Sequence, residues 1–423
     1  MSGTIDLDTF NPVEPATLDC LDAYYTAMRA GDPVHYVKSV DMYFVVRHDL
    51  ICRVMRDAET FSSVFPTKAR GVLPIASEDA ERIREVLRQG LPRVPTLINA
   101  DPPAHNRYRQ LVARTFSVKA IAALEPVVRM VTSRLIDSWI DQPQIEFVDE
   151  FAVPLPMEVI AYALGVPDDR LDDFKRWSDD TVASFGAAPS IERRIAAEQG
   201  VNELQRYFSE QLDLRRAEPQ DDLLTRLLQA RIDDTSEVTD DRPLDTTEIV
   251  GILQQLLSGG NETTTKLLAA MMRTLAEQPE HWKRVRADPA AIPGVVEETL
   301  RLAAPAQCMR RLATRDVELG GVTIPAGSRI ITVLASANRD ESVFTDPESF
   351  DPHRDNLNDH LAFGKGVHFC IGASLTRLEA RVALEELSRR LRSFALADDN
   401  DFPHDPSFML RGLKRLQIDI VAA

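Results

Sequence analysis

The sequence predicts a mainly α protein with small β-sheets, and three observations carry that expectation. Residues 120 to 235 read as successive amphipathic helices, broken at Pro154-Leu155-Pro156, Gly165-Val166-Pro167, Gly186 to Pro189 and Glu218-Pro219. Asp245-Thr246-Thr247-Glu248 is a capping-box pattern that opens a helix of about thirty residues before Pro279. Strand-like runs are short and few: Val34-His35-Tyr36-Val37 and Met42-Tyr43-Phe44-Val45-Val46 form a hairpin, and Ile330 to Leu334 a further strand.

Size and charge bound the function. With 423 residues, 44% hydrophobic and 27% charged, the chain can enclose a cofactor in one large core, and a single domain over 1–423 is expected. The net charge of −17, from 66 acidic and 49 basic residues, argues against nucleic-acid binding. Met1-Ser2-Gly3-Thr4-Ile5-Asp6-Leu7-Asp8 has neither a basic flank nor an apolar core, and no apolar run approaches the ~20 residues of a bilayer span. The expectation is a cytoplasmic protein without a membrane anchor. Cys20, Cys52, Cys308 and Cys370 lie far apart with no CxxC pair, which argues against a disulfide framework or zinc ribbon.

Taken in order, a polar arm leads into a helix from Leu18 to Ala30, stopped by Gly31-Asp32-Pro33. After the hairpin comes a helix from about Asp49 to Asp57. Residues 61 to 100 are expected to be irregular because Pro66, Pro74, Pro92 and Pro95 interrupt them; the hydrophobic members fit a pocket lid or surface wrapping equally. Asp101-Pro102-Pro103-Ala104-His105-Asn106-Arg107-Tyr108-Arg109 opens the next helix, and His105 and Arg109, four apart, share a face. Phe185 sits between two long helices. In the middle of the thirty-residue helix, Gly259 and Gly260 each cost ~1 kcal/mol relative to Ala, which a packing contact, a bend or a close ligand would explain. Glu298 and Arg301, three apart, have the spacing of an ordinary surface ion pair.

The loop Leu361-Ala362-Phe363-Gly364-Lys365-Gly366-Val367-His368-Phe369-Cys370-Ile371-Gly372 ends at a helix whose stripe is Leu375, Leu378, Val382, Leu384 and Leu387. Cys370 therefore stands at a helix mouth, where unpaired N–H groups and the helix dipole favour a thiolate. Gly364 and Gly366 let the backbone fold closely around it. A lone buried cysteine in a turn is the plain alternative.

The full pattern Phe363-Gly364-x-Gly366-x-His368-x-Cys370-x-Gly372 resembles the haem-ligand loop of the cytochrome P450 family. Other segments resemble that family in the same order along the chain. Asp101-Pro102-Pro103-x-His105-x-x-x-Arg109 looks like its propionate-binding helix, Gly259-Gly260-x-Glu262-Thr263-Thr264 like its acid–alcohol segment, and Glu298-x-x-Arg301 with Arg354 like its buried structural triad. The resemblance implies a triangular helical prism, with small sheets at one edge, around a buried haem b. It implies that Cys370 binds the iron, with Phe363, Gly364, His368 and Gly372 shaping the loop. His105 and Arg109 would bind one propionate and Arg311 the other, with Arg310 as a competitor. Thr263 would hydrogen-bond dioxygen while Glu262 supplies protons, because heterolytic O–O cleavage needs two protons on the distal oxygen. Lys365 is a departure from the usual loop.

The activity implied is hydroxylation of a hydrophobic small molecule with O2. The tail after Cys370 holds no flavin or iron–sulfur module, so electrons are expected from a ferredoxin and its NAD(P)H-dependent reductase. They would dock on a basic face formed by Arg107, Arg114, Lys365, Arg377 and Arg381. Gln255, Ser258, Gly259, Ala306, Gln307, Met309 and Met409 are the candidate pocket residues. A peroxide-driven variant, which lacks the acid–alcohol pair, and a non-catalytic haem protein are the alternatives. Terpenoids, steroids, fatty acids, aromatics and macrolides all remain open as substrates.

Overall fold

The computed structural model describes residues 5–65, 77–113, 116–232, 240 and 242–423; Arg114 and the prolines at 66 and 74 lie outside them. The chain divides into two compact units, one of Met1–Ser62, Ala123–Pro156 and Thr263–Ala423, the other of Ser63–Ala122 and Met157–Glu262. Among the described residues no helix is long and apolar enough to cross a membrane.

The first unit holds the sheets. Strands β1 (Val34–Val37), β2 (Met42–Val45), β3 (Phe61–Ser62), β5 (Cys308–Ala313) and β8 (Arg329–Val333) form one sheet in the order β1-β2-β8-β5-β3. β1 and β2 are the expected antiparallel hairpin, with Val34 opposite Val45. β4 (Gln144–Glu146), β9 (Leu391–Leu396) and β10 (Gln417–Ala422) form a second sheet, and β6 (Val317–Leu319) pairs with β7 (Val322–Ile324). The five-stranded sheet shares one apolar core with helix His48–Arg56: Val45, Ile51, Val54, Met55, Phe61, Ile330 and Leu361 are all buried in it. Helix Ala373–Arg390 buries its whole predicted stripe, Leu375, Leu378, Val382, Leu384 and Leu387.

The second unit is helical. Its helix Ser77–Leu87 corrects the expectation of an irregular 61–100 segment. The prolines flank this stretch and do not interrupt it, and Glu78 and Asp79 in its first turn complement the helix dipole. Ile83 and Val86 are buried, and the Val86 carbonyl accepts a bond from Asn202 Nδ2 at 2.7 Å on helix Ile191–Ala217. The thirty-residue helix is Thr246–Glu277. Its capping box closes both ways, Glu248 N donating to Asp245 Oδ1 and Asp245 N to Glu248 Oε2, each at 2.9 Å.

Glu298 and Arg301 are not a surface pair. Both are fully buried on helix Ile292–Ala303, with Arg301 Nε and Nη2 on the two Glu298 oxygens at 2.7 Å. Arg354 Nε adds a bond to Glu298 Oε1 at 2.9 Å, and Arg301 Nη1 reaches the Asn338 and Pro347 carbonyls at 2.8 and 2.7 Å. Removing one member of such a network strands the others in low dielectric. Glu298→Ala should therefore lower stability by about 3–5 kcal/mol, read as a lower denaturant midpoint at unchanged slope. A loss below about 1 kcal/mol would show that the buried arginines find other partners.

Candidate active site

The Cys370 loop is hung from the same network. Leu361 N donates to Asn338 Oδ1 at 2.6 Å, and Asn338 Nδ2 donates to the Arg301 carbonyl at 3.0 Å. The loop then turns through Gly364 at φ +68° and Gly366 at φ +73°, both left-handed. Gly366 is also a close approach: a Cβ there would stand 2.3 Å from the Met55 carbonyl oxygen. Phe369 N bonds the Gly366 carbonyl at 3.1 Å and Cys370 N the Phe363 carbonyl at 2.9 Å. These bonds set Cys370, half-buried, just ahead of helix Ala373–Arg390, and none of the four cysteines is in a disulfide. His368 lies in the short turn Gly366–His368, and Gly372 directly precedes the helix.

Glu297, beside Glu298, braces the other side of the loop. It accepts two bonds from Arg377, at 2.6 and 2.8 Å, and one from His360 Nε2 at 3.0 Å. Burial works against its charge, but these partners outweigh burial and hold its pKa down at about 2. The Arg377 guanidinium lies 4.5 Å from the Phe363 ring centroid, tying the first motif residue to the helix after Cys370. Neither Glu297 nor Asn338 carries a spacing signal in sequence.

This arrangement corrects the expected basic docking face. Arg107 is buried and bound to Glu248 at 3.0 Å, where Tyr108 OH and Arg242 also converge. Arg377 is neutralised by Glu297, and Arg381 by Glu125 and Glu385 at 2.7 Å each. Sequence proximity of cations is not surface charge when their partners come from distant segments.

His105 is buried and Arg109 half-buried on helix Ala104–Ala113, as their spacing requires. Arg311 is buried on β5 and Arg310 half-buried beside it; Arg311 Nη1 donates to the Arg310 carbonyl at 2.7 Å. On the long helix, a Cβ on Gly260 would make ordinary contact with Ile160 at 3.7 Å, whereas one on Gly259 would meet nothing within 4 Å. Gly259 is exposed in mid-helix, so the pair does not mark tight packing.

Glu262 is 9% exposed and accepts a bond from Asn261 Nδ2 at 3.3 Å, while Lys175 Nζ stands 3.9 Å from its Oε1. Lys175 also pairs with Asp179 on helix Leu171–Val182. Burial and the neighbouring Glu262 hold the Asp179 carboxyl above its ordinary range, against the pull of Lys175. A polar cavity of about 610 Å³ opens beside Lys175 and Asp179 toward helix Ile191–Ala217. Sequence reasoning missed both residues, whose spacing looks like a solvated helix pair. Thr263 is half-buried; its neighbour Thr264 is buried with its hydroxyl 3.5 Å from that of Thr376. Near it Glu379 is fully buried, pushed up to about 8 by burial with Thr264 opposing, and its Oε2 has no partner among the described residues.

Three candidate pocket residues are committed elsewhere. Gln255 clamps the turn at 96–99, donating to Thr96 Oγ1 at 2.8 Å and accepting from Ile98 N at 3.1 Å. Ser258 Oγ bonds the Gln254 carbonyl of its own helix at 3.1 Å. Gln307 Nε2 caps helix Ile292–Ala303 at the Ala303 and Ala304 carbonyls, both 2.9 Å, where Ala304 is left-handed at φ +38°. Ala306 bridges Leu410, Met309 pairs with Thr332, and the Met409 carbonyl accepts from Gln307 N.

The groups present fit an iron porphyrin. One cysteine is clamped at a helix mouth with no close side chain added at Gly372, where a Cβ would lie 3.8 Å from Sγ. His105 and Arg109, buried and half-buried in the second unit, and Arg311, buried in the first, are each donors of the kind that a carboxylate arm requires. The Glu297 brace also sets a pH limit. Its folded pKa lies below the ordinary 4.5, so its stabilisation is complete above 4.5 and disappears as pH falls toward about 2. Glu297→Gln should flatten the acid side of the stability curve in that window; an unchanged acid limb would remove Glu297 as the brace.

Comparisons with known proteins bear on the same reading. The family model described as Cytochrome P450 matches residues 190–416. Cytochrome P450 109 of Bacillus spizizenii is 36% identical over 402 residues, covering 94% of this chain and 91% of that protein. Erythromycin C-12 hydroxylase of Saccharopolyspora erythraea is 37% identical over 392 residues, covering 92% and 90%. The solved structure of cytochrome P450 CYP109Q5 from Chondromyces apiculatus matches with a TM-score of 0.84 and 36% identity, over 99% of this chain and 100% of that one. A matching family model, a matching fold and relatives covered over nine-tenths of their length agree: the chain belongs to the cytochrome P450 family and is a haem-dependent monooxygenase.

Proposed function

We propose that this protein hydroxylates a hydrophobic small molecule with O2, using haem b and electrons delivered by a separate ferredoxin and its NAD(P)H-dependent reductase. The observation that carries the reading is the geometry of the Cys370 loop, in which two left-handed glycines and three backbone bonds hold one thiol at a helix mouth. A thiolate-ligated haem supplies the electron density that favours O–O cleavage. The protein's own residues do the rest. Cys370 would hold the iron, with Phe363, Gly364, His368 and Gly372 shaping its loop. His105 and Arg109 would hold one propionate, and Arg311 the other.

Thr263 and Glu262, adjacent on the long helix, manage protons. Glu262 is the donor to the relay: its neighbours Lys175 and Asp179 line a cavity edged by charged side chains, and through them it can be recharged. Thr263, next in sequence, passes the proton on through its hydroxyl. Gly259 leaves space in mid-helix that a side chain would fill. The substrate follows the relatives only in class: a macrolide, as the name of the erythromycin C-12 hydroxylase indicates, belongs in any screen beside steroids, terpenoids, fatty acids and aromatics. Compounds that enter the pocket should shift the haem from low to high spin.

The spectrum of the reduced protein with carbon monoxide tests the ligand. The red-shifted Soret band of thiolate-ligated haem is expected, and Cys370→Ser should abolish it; a histidine-type spectrum in the native protein would remove Cys370 from the iron. Thr263→Ala should keep NAD(P)H consumption but divert it to peroxide, lowering product per NAD(P)H by about tenfold or more. Unchanged coupling in that variant would take Thr263 out of the relay.

A further inference from the structure

Helix His48–Arg56 carries a second cysteine whose surroundings the haem reading does not use. Cys52 and His48 are four residues apart on one face, with Sγ 3.7 Å from His48 Nδ1. His48 Nε2 lies 2.9 Å from the Asp359 carbonyl oxygen, which only accepts, so Nε2 carries the hydrogen. In the neutral ring this leaves the Nδ1 lone pair facing the thiol. His48 N donates to Asp340 Oδ2 at 2.8 Å, which fixes the first turn and with it the ring. This is a thiol, a base and an oriented third group, the arrangement that activates a cysteine nucleophile.

We propose that Cys52 and His48 form a nucleophilic dyad, a modification site that takes low-molecular-weight disulfides. His48 Nδ1 accepts the Cys52 proton, and the Sγ thiolate attacks one sulfur of the small disulfide. A Cys52–S–S–R bond forms, the R–S–S–R bond breaks, and R–S⁻ leaves. Cys52 is oxidised and the small disulfide is reduced, so no other oxidant is needed.

The charges around the dyad favour the thiolate. Burial resists it, but His48, Lys365 of the Cys370 loop and Arg56 of the same helix together bring the Cys52 thiol below its ordinary range. Lys365 and Arg56 have no ion-pair partner among the described residues, and the facing carboxylate, Asp340, is engaged by His48 N and by Ser342. Cys308 shows the contrast: a buried thiol at 2% exposure with no base beside it is pushed far up. Cys52 packs at the edge of the apolar core with 7% of its surface open against 2% for Cys308, so the test reads access of the small reagent as well as rate.

The test uses the full-length protein with its haem, treated with hydroxyethyl disulfide across about pH 5.5–9, acid-quenched and read by peptide mass, beside N-acetylcysteine as an ordinary thiol. The Cys52 rate should hold to lower pH than that of N-acetylcysteine, and dithiothreitol should reverse the adduct. In His48→Gln the rate near pH 6 should fall at least fivefold. A Cys52 profile parallel to N-acetylcysteine, a His48→Gln rate equal to the native one, or a Cys52 that reacts only in urea would each overturn the dyad. Should His48→Gln fail to fold, the native profile against N-acetylcysteine decides alone.

Discussion

Two adjacent carboxylates, Glu297 and Glu298, hold the loop that carries Cys370. Glu298 is buried between Arg301 and Arg354, and Arg301 passes its remaining donors to backbone carbonyls that include Asn338. Asn338 in turn anchors Leu361, the first residue of the Cys370 loop. Glu297 binds Arg377 and His360, both of which lie against the Phe363 ring. A single glycine-rich loop would otherwise be free to move, because glycine has the most conformational freedom to lose. Buried ion pairs add little net stability, yet they are intolerant of misplacement, which is the property that a ligand loop needs.

The same contrast of environments separates the protein's acids. Glu297 is buried among cations and stays ionised, whereas Glu379 is fully buried with the Thr264 hydroxyl as its partner and holds its proton to about 8. Glu262 stands between these cases, with a lysine and a second carboxyl as neighbours and a polar cavity beyond them. The relay role proposed for Glu262 suits such a setting, since full burial or tight pairing would fix a carboxyl in one state. Cys52, beside a histidine, and Cys308, fully buried, show the equivalent contrast for thiols.

Much of the fold was legible in sequence because the signals were local. The capping box at Asp245-Glu248, the leucine stripe after Cys370 and the hairpin at 34–45 all depend on residues within a turn or two of each other. The helix Ser77–Leu87 was missed because prolines on its flanks were read as breaks within it. The motifs around Cys370, Glu262-Thr263 and Glu298-x-x-Arg301 carried a family resemblance, and it was this resemblance, not spacing, that implied their roles.

What spacing could not reach is which distant group each side chain meets. Arg107, Arg377 and Arg381 counted as surface cations until carboxylates at 248, 297, 125 and 385 closed on them. Gln255, Ser258 and Gln307 counted as pocket anchors until their hydrogen bonds proved to be spent on backbone and on Thr96. Lys175 and Asp179 at Glu262, Asn338 at the loop and His48 at Cys52 are tertiary or helical neighbours without a motif of their own. By itself the sequence determined the elements, which follow from short-range sterics and residue type, and its motifs carried the family resemblance that implied the kind of chemistry. Only the tertiary structure decided charge, protonation and hydrogen-bond commitment, because those depend on burial and on partners that the chain brings together across long separations.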